Sequence, residues 1–407
     1  MELKSIIQKI LRLGTTLEGV KSETGKREKK RYRSVHSVNI LGKPTWTGHS
    51  YAELVQEGYK KNVIVYRCVT LIARSLASVA FLLKKGVSPL DTHPLLTLLS
   101  HPNPLRGGAS FVEALVSHLL LSGNAYVEAM YGFDEQPCEL YLLRPDRVEI
   151  VPATTGQLRT YKYTVDEKTR RISMLAHNGK RKIAHIKLFN PIDDWYGASP
   201  LNSAACAIDQ HNAVAEHNLS LLQNGGRPSG VAVFRDGLDE DSRELAREHM
   251  TSFHQGPGNA GRMMIVEGDV EWKEMGLSPR EMDFATSKDV SAREIAQAFG
   301  VPAMLVGVKG DSTYANYREA RFHLWEDTIL PLLDMIVDEL NSWLTPQFGP
   351  DLQIGYDQGS IPALSQRREQ LWQSLERATF LTDNEKRAAT GYPPHPLSRD
   401  NDGVCAH

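Results

Sequence analysis

The chain has 407 residues, enough for roughly two or three domains, with 41 % hydrophobic and 24 % charged residues, an ordinary globular balance. Forty-seven Lys and Arg against forty-nine Asp and Glu leave a net charge of −2, without the basic surplus that a static nucleic-acid binder uses to displace counterions. Cys68, Cys138, Cys206 and Cys405 are too scattered for a disulfide framework or a zinc site, which points to a reducing compartment.

Met1–Leu13 is amphipathic, with Leu3, Ile6, Ile7 and Ile10 among Lys4, Lys9 and Arg12, and lacks the continuous apolar core and cleavage site of a signal peptide. Residues 14–50 are polar, with a basic cluster at Lys26, Arg27, Lys29, Lys30, Arg31 and Arg33, so residues 1–50 read as a flexible, solvated arm or a DNA or partner contact. The longest apolar run, Val63–Leu83, contains Arg67 and Arg74, which would be costly at a bilayer centre. It predicts a buried amphipathic helix over about 62–83 and no membrane span. Residues 51–195 read as α+β: a second helix at 110–122, then strands at Asn124–Met130, Glu139–Leu143, Arg147–Val151, Thr160–Val165 and Ile183–Leu188. Gly132, Pro137, Pro145-Asp146 and Gly156 mark the turns.

Ser199 is a good N-cap, Pro200 suits the first helical position, and Gly225-Gly226 supply a left-handed stop. Between them Leu201, Ala205, Ile208, Asn212, Ala215, Leu219 and Leu222 alternate at spacings of four and three, a narrow heptad-like seam on a rod of roughly 37 Å. Residues 227–278 predict an insertion: a strand at Val231–Phe234, a helix at Asp239–Phe253 and a hairpin of Met263–Val266 with Val270–Lys273. A second long helix, about Pro279–Phe299, stops at Gly300-Val301-Pro302. A third follows from about Tyr314 to Leu344, striped by Trp325, Ile329, Leu332, Ile336, Leu340 and Trp343. Pro331 cannot donate to the carbonyl of Asp327 and is expected to kink it. The tail holds a helix near 362–379 and a short one opened by the capping-box sequence Thr382-Asp383-Asn384-Glu385 and closed by Gly391 and Pro393.

Gly256-Pro257-Gly258-Asn259-Ala260-Gly261 fits G-x-G-x-x-G, but helix precedes it and strand follows, the reverse of a phosphate loop, so it reads as a turn. No Walker-type G-x-x-x-x-G-K-[ST], G-x-S-x-G or H-E-x-x-H sequence is present. His211 and His217 fall on different helical faces and read as surface or interface residues. Asp193-Asp194 lacks companion ligands and reads as a turn. No cofactor, metal site or catalytic residue is expected.

Six stretches, in order, resemble the HK97-like portal proteins of tailed phages, from about residue 60 to 395. They are Gly123-Asn124-Ala125-Tyr126-Val127-Glu128; Leu143-Arg144-Pro145-Asp146-Arg147-Val148; and His185-Ile186 through Gly197-Ala198-Ser199-Pro200-Leu201. Asn224-Gly225-Gly226-Arg227-Pro228-Ser229-Gly230 follows, then Ile295-Ala296-Gln297-Ala298-Phe299-Gly300-Val301-Pro302 with Ser312-Thr313-Tyr314-Ala315-Asn316. Last come Leu381-Thr382-Asp383-Asn384-Glu385 and Gly391-Tyr392-Pro393-Pro394. The Trp195-Tyr196 insertion is bulkier than the family's usual polar turn, and the C-terminal segment is short.

The resemblance implies a portal fold: an α+β wing (51–198), a first stem helix (199–226), an α/β clip insertion (227–278), a second stem helix (279–302) and a tunnel loop (303–315). A long kinked helix with a wing return (316–360) and a small helical crown and tail (361–407) would complete it. It implies a non-enzymatic homo-dodecamer at one capsid vertex of the virion, assembled in the host cytoplasm. Double-stranded DNA would pass through it non-specifically, and the large terminase subunit, the major capsid protein and a head-tail connector would be its partners. The first stem helix carries Asp209 and Glu216 and no Lys or Arg. The second carries Arg280, Lys288 and Arg293 against Glu281, Asp283, Asp289 and Glu294, so weak net attraction would let DNA slide. Lys288 and Arg293 are the channel-lining candidates. Val306, Gly307, Lys309, Gly310, Asp311 and Thr313 are the tunnel-loop candidates, with Lys309 nearest the phosphates. Asp239, Glu240 and Asp241 are the clip docking candidates, although acid at a helix start also suits the dipole. A nuclease or ligase subunit and a generic helical scaffold are the competing classes; the first would need clustered carboxylates or a nucleotide lysine, the second would not close a ring.

Overall fold

The protein is described from a computed structural model covering residues 51–86, 88–151, 160–223, 230–234, 270–274, 284–308 and 314–392. Helix α1 (Tyr51–Leu54) runs into a wide π-helical turn, Val55–Lys60, and Asn62 then starts α2 (Val63–Ala77). The Asn62 side chain accepts from the amides of Ile64 and Val65, an N-cap, and Val65, Cys68, Val69, Ile72, Ala73 and Leu76 form one fully buried face. The helix is shorter than its apolar run predicts. Ser78 turns its hydroxyl back to the carbonyl of Ser75, and from Phe81 the apolar residues alternate instead: Leu83 is buried while Leu82 is exposed. That segment is strand β1 (Phe81–Lys85), which pairs with β2 (Ser88–Leu90) on one side.

After α3 (Pro94–Ser100) and α4 (Gly108–Ser122) come two antiparallel three-stranded sheets. The first is ordered β4-β3-β8 from β3 (Asn124–Tyr131), β4 (Pro137–Leu143) and β8 (Ile183–Lys187). The second is ordered β5-β6-β7 from β5 (Val148–Val151), β6 (Thr160–Val165) and β7 (Lys168–Ser173). Central strand β3 is buried on both faces from Asn124 to Ala129, and Tyr126 joins Leu143, Val148, Ile150, Tyr161, Ile172 and Ile183 in a small second core. Glu128, 1 % exposed, points into this region. Arg170 meets it bidentately at 3.0 and 2.6 Å and Lys182 at 3.2 Å, so its burial is compensated by a strand of the other sheet.

Helix α5 (Pro200–Gln223) follows, then a two-stranded sheet in which β9 (Gly230–Phe234) pairs with β10 (Val270–Glu274). β10 pairs with the strand at 230–234, and residues 263–266, its expected hairpin partner, lie outside the described residues. Helix α6 (Phe284–Ala298) ends at Gly300 with left-handed backbone, as predicted.

The third long helix is interrupted just ahead of its proline. Helix α7 (Tyr314–His323) gives way to a π-helical turn, Leu324–Ile329, before α8 (Leu330–Trp343). Pro331 has no N–H for Asp327, and the ladder widens beside it, with the amide of Leu330 reaching back five residues to the carbonyl of Trp325. Strand β11 (Leu352–Tyr356) then joins the free side of β1. Asn341 on α8 exchanges two hydrogen bonds with the backbone of Ile354, at 2.9 and 2.7 Å, which fixes that strand to the helix. Helix α9 (Ser365–Arg377) and α10 (Asp383–Ala389) end the described chain, and both arms of the Thr382/Glu385 capping box form. The main core gathers the buried faces of α2, α4, the first half of α5, α6 and α8 against β3.

Candidate functional site: a helix pair seated on a sheet

The six sequence stretches that carried the resemblance include two, 123–128 and 197–201, that meet in space. Gly123 closes α4 with left-handed backbone (φ 75°), and its carbonyl accepts from Leu188 at 2.9 Å. Gly197 lies against it so closely that a side-chain carbon on Gly197 would overlap the carbonyl oxygen of Gly123 and stand 2.7 Å from that of Leu188. Only two glycines fit this backbone crossing. Buried Asn124 locks it: its Oδ1 accepts from the Gly197 amide at 2.8 Å and lies 2.9 Å from His185 Nε2, while its Nδ2 donates to the carbonyls of Ser122 and Gly197. Ser199 then caps α5, accepting from Leu201 at 3.0 Å, and donates to the carbonyl of Leu120 at 2.7 Å. The sheet, α4 and α5 are thus joined at one rigid corner. Asp193 Oδ1 accepts from Trp195 and Tyr196, the turn that the sequence predicts, and the bulky pair packs on the second core, with the Tyr196 hydroxyl accepting from Ile150 at 2.8 Å.

From this corner α5 runs beside α6. Their buried faces are small: Ala204, Ala205, Ala207 and Ile208 on α5, and Ser291, Ala292, Ile295 and Ala296 on α6. Gln210 donates to Ser287 at 3.1 Å between the two helices. The predicted seam is covered only in part. Leu201, Ala205 and Ile208 are buried and Asn212 half-buried, but Ala215 is exposed and Leu219 is 55 % exposed. On α6, Val290 is 46 % exposed.

Sequence reading placed His211 at a surface or interface, and the structure corrects this: His211 is 5 % exposed, because α1's turn and the start of α2 cover it. Asn62 Nδ2 lies 3.2 Å from His211 Nδ1 and donates to Asn212 Oδ1 at 3.0 Å, while Asn212 donates to the carbonyl of Glu57 at 2.9 Å. Burial, reinforced by Lys288 nearby, holds the His211 pKa below its ordinary value. An Asn directly before an apolar run is a legible cap, but its second contact, to a helix 149 residues away, is not.

Of the channel-lining candidates, Lys288 is half-buried close to His211 and Arg293 is exposed. Five positions apart, they project about 140° from each other on α6 and do not form one patch. Of the tunnel-loop candidates, Val306 ends a tight 3₁₀ turn, Ala303–Val306, pinned by buried Leu305 and Val308, and Gly307 closes it with a left-handed φ of 88°. Lys309, Gly310, Asp311 and Thr313 lie outside the described residues, as do Asp239, Glu240 and Asp241. Among the described residues no group of three His, Cys, Asp or Glu is placed to hold a metal.

The model of the family described as phage portal protein matches residues 63–391. The chain belongs to the phage portal protein family. It is 41 % identical to an uncharacterized protein of Rickettsia bellii (strain RML369-C) over 83 % of this chain and 88 % of that one. It is 24 % identical to the portal protein of Enterobacteria phage HK97 over 82 % of this chain and 79 % of that one. Two solved structures are each 40 % identical and align over 87 % of this chain and 96 % of theirs. One is in the neck of an empty gene transfer agent particle computed with C6 symmetry (TM-score 0.69), the other in the neck of a native particle computed with C12 symmetry (TM-score 0.67). The glycine corner and the α5–α6 pair therefore belong to a portal-family fold.

Proposed function

We propose that this portal-family chain assembles as a closed dodecamer at one vertex of a DNA-containing particle, and that α5 and α6 frame the channel through which double-stranded DNA enters and leaves. The observation that carries this reading is the half-covered seam: Leu219 on α5 and Val290 on α6 remain exposed on the single chain, apolar side chains that a neighbouring copy would cover. The C12 symmetry of the similar neck supports twelve copies. The near-neutral charge of the two helices supports sliding rather than gripping, because few phosphates would be neutralised at any moment.

In this reading residues 51–198 form the wing, 227–278 the clip, 303–315 the tunnel loop and 361–407 the crown. Asp239, Glu240 and Asp241 would offer an acidic docking surface for the large terminase subunit during packaging and for a head-tail connector afterwards. The wing would meet the major capsid protein. The chain would do no chemistry itself, the work of packaging resting with the terminase. The test is complementation in particle-producing cells. Deleting this gene should abolish DNase-protected DNA in the particle fraction, and restoring the chain should recover it. Particles that still hold protected DNA without the chain would overturn the proposal.

A further inference from the structure

The corner between α1's turn, α2 and α5 is held by a hydrogen-bond relay that admits only one protonation state. Asn62 Oδ1 accepts from the amides of Ile64 at 3.0 Å and Val65 at 3.2 Å, which fixes the orientation of its amide. Its Nδ2, a donor with no lone pair to offer, therefore faces His211 Nδ1 and Asn212 Oδ1. His211 must present a bare Nδ1 and carry its proton on Nε2. An imidazolium has N–H groups at both nitrogens, so it would set donor against donor in a site that is almost closed to water.

We propose that His211 is a proton-sensitive latch: neutral, it ties α5 to the Asn62 cap of α2; protonated, it releases that corner. Of the charged groups on the surrounding elements, Lys288 is the one whose field is felt at the ring, and it favours the neutral form. On the turn, Glu57 and Lys61 pair with each other at 2.7 Å. Tyr66 and Arg67 are the ionisable groups on the adjoining turn of α2, and Asp209 and Glu216 are the acids of α5. On α6, Lys288 is the group whose field reaches the ring, and it is positive. Burial and Lys288 act in the same direction. The folded ring therefore holds its proton less tightly than an unfolded one, and the latch is complete above the ordinary histidine range and lost as pH falls below it. The latch rests on contacts within one chain, so it stands or falls independently of the ring proposed above.

Hydrogen–deuterium exchange with mass spectrometry on the full-length protein tests it, with rates corrected for the intrinsic pH dependence. Peptides covering residues 57–68 and 205–216 should be protected at pH 7.5 and lose protection by up to about tenfold per pH unit as pH falls from the ordinary histidine pKa towards the lowered one, as one coupled proton requires. A peptide from α8 reports global opening and should not follow. His211→Gln, which can offer an oxygen to Asn62 and cannot titrate, should remove the pH step. Lys288→Met should move the midpoint upward towards the ordinary histidine value. If glutamine leaves the corner open at every pH, the Lys288→Met midpoint decides. Wild-type protection that stays flat to pH 5, an unchanged step in His211→Gln, or an unmoved midpoint in Lys288→Met would each overturn the latch.

Discussion

Gly197→Ala puts the glycine corner to its hardest test. An added carbon at 197 would overlap the carbonyl oxygen of Gly123 and approach the oxygen and nitrogen of Leu188 to 2.7 and 2.9 Å. All three are backbone atoms, so no side chain can turn away. Opening the 2.7 Å approach alone to an ordinary 3.4 Å contact needs a shift of 0.7 Å in one of two segments that hydrogen bonds hold together, and the overlap with Gly123 needs more. The bonds at risk are Gly197 to Asn124 at 2.8 Å, Leu188 to Gly123 at 2.9 Å and Ser199 to Leu120 at 2.7 Å. Overpacking costs about 1–3 kcal/mol, and each buried bond left open about 1–3 more. Losing one or two of them gives a destabilisation of about 3–5 kcal/mol. Gly197 carries no left-handed φ, so the loss would be steric. Gly307→Ala is the converse control: open space around it but a φ of 88°, for which about 1 kcal/mol is expected. Urea unfolding of the two variants beside the wild type measures both. A Gly197→Ala loss under 1 kcal/mol, or one no larger than that of Gly307→Ala, would refute the reasoning.

Three further outcomes follow from the same structure. Glu128→Gln leaves Arg170 and Lys182 converging on an uncharged amide; because Arg170 is 48 % exposed, a loss of about 2–3 kcal/mol is expected rather than that of a fully buried pair, and an unchanged urea midpoint would speak against it. His118 has its pKa lowered to about 4 by burial, with Arg106 adding to the effect, so the folded state binds fewer protons than the unfolded one between pH 6.5 and 4. Stability should be full above pH 6.5 and fall by up to about 3 kcal/mol towards pH 4, and His118→Gln should remove that part of the decline in thermal melts across the range. Lys309→Ala, and separately a two-residue shortening of the 309–313 segment, should reduce DNase-protected DNA per particle; normal packaging and retention in both would remove the segment from the channel's working parts.

What the sequence disclosed was what chain neighbours decide. The Ser199-Pro200 start of α5, the Gly300 stop of α6 and the Thr382/Glu385 box are local hydrogen-bond chemistry, and they stand where their residues place them. Strand β7 is not legible because Lys168, Thr169, Arg170 and Arg171 are all polar and exposed, even where Arg170 reaches Glu128, and only Ile172 is buried, leaving no alternation to read. The β1–β11 pairing was missed because its two strands are about 270 positions apart in the chain. Glu128 and His211 look like ordinary polar residues until Arg170, Lys182 and Asn62 are brought to them from other elements. The glycine corner was half legible. Both of its stretches were singled out, but that they touch is a property of the fold.

The central claim is a closed ring, and electron-microscope class averages of the purified full-length protein test it most directly. Twelve-fold end-on views with a central hole are expected, and Leu219→Glu with Val290→Glu should reduce their proportion, because charge would then replace apolar side chains left exposed on each copy. Monomers at every concentration, or open filaments without closure, would contradict the account.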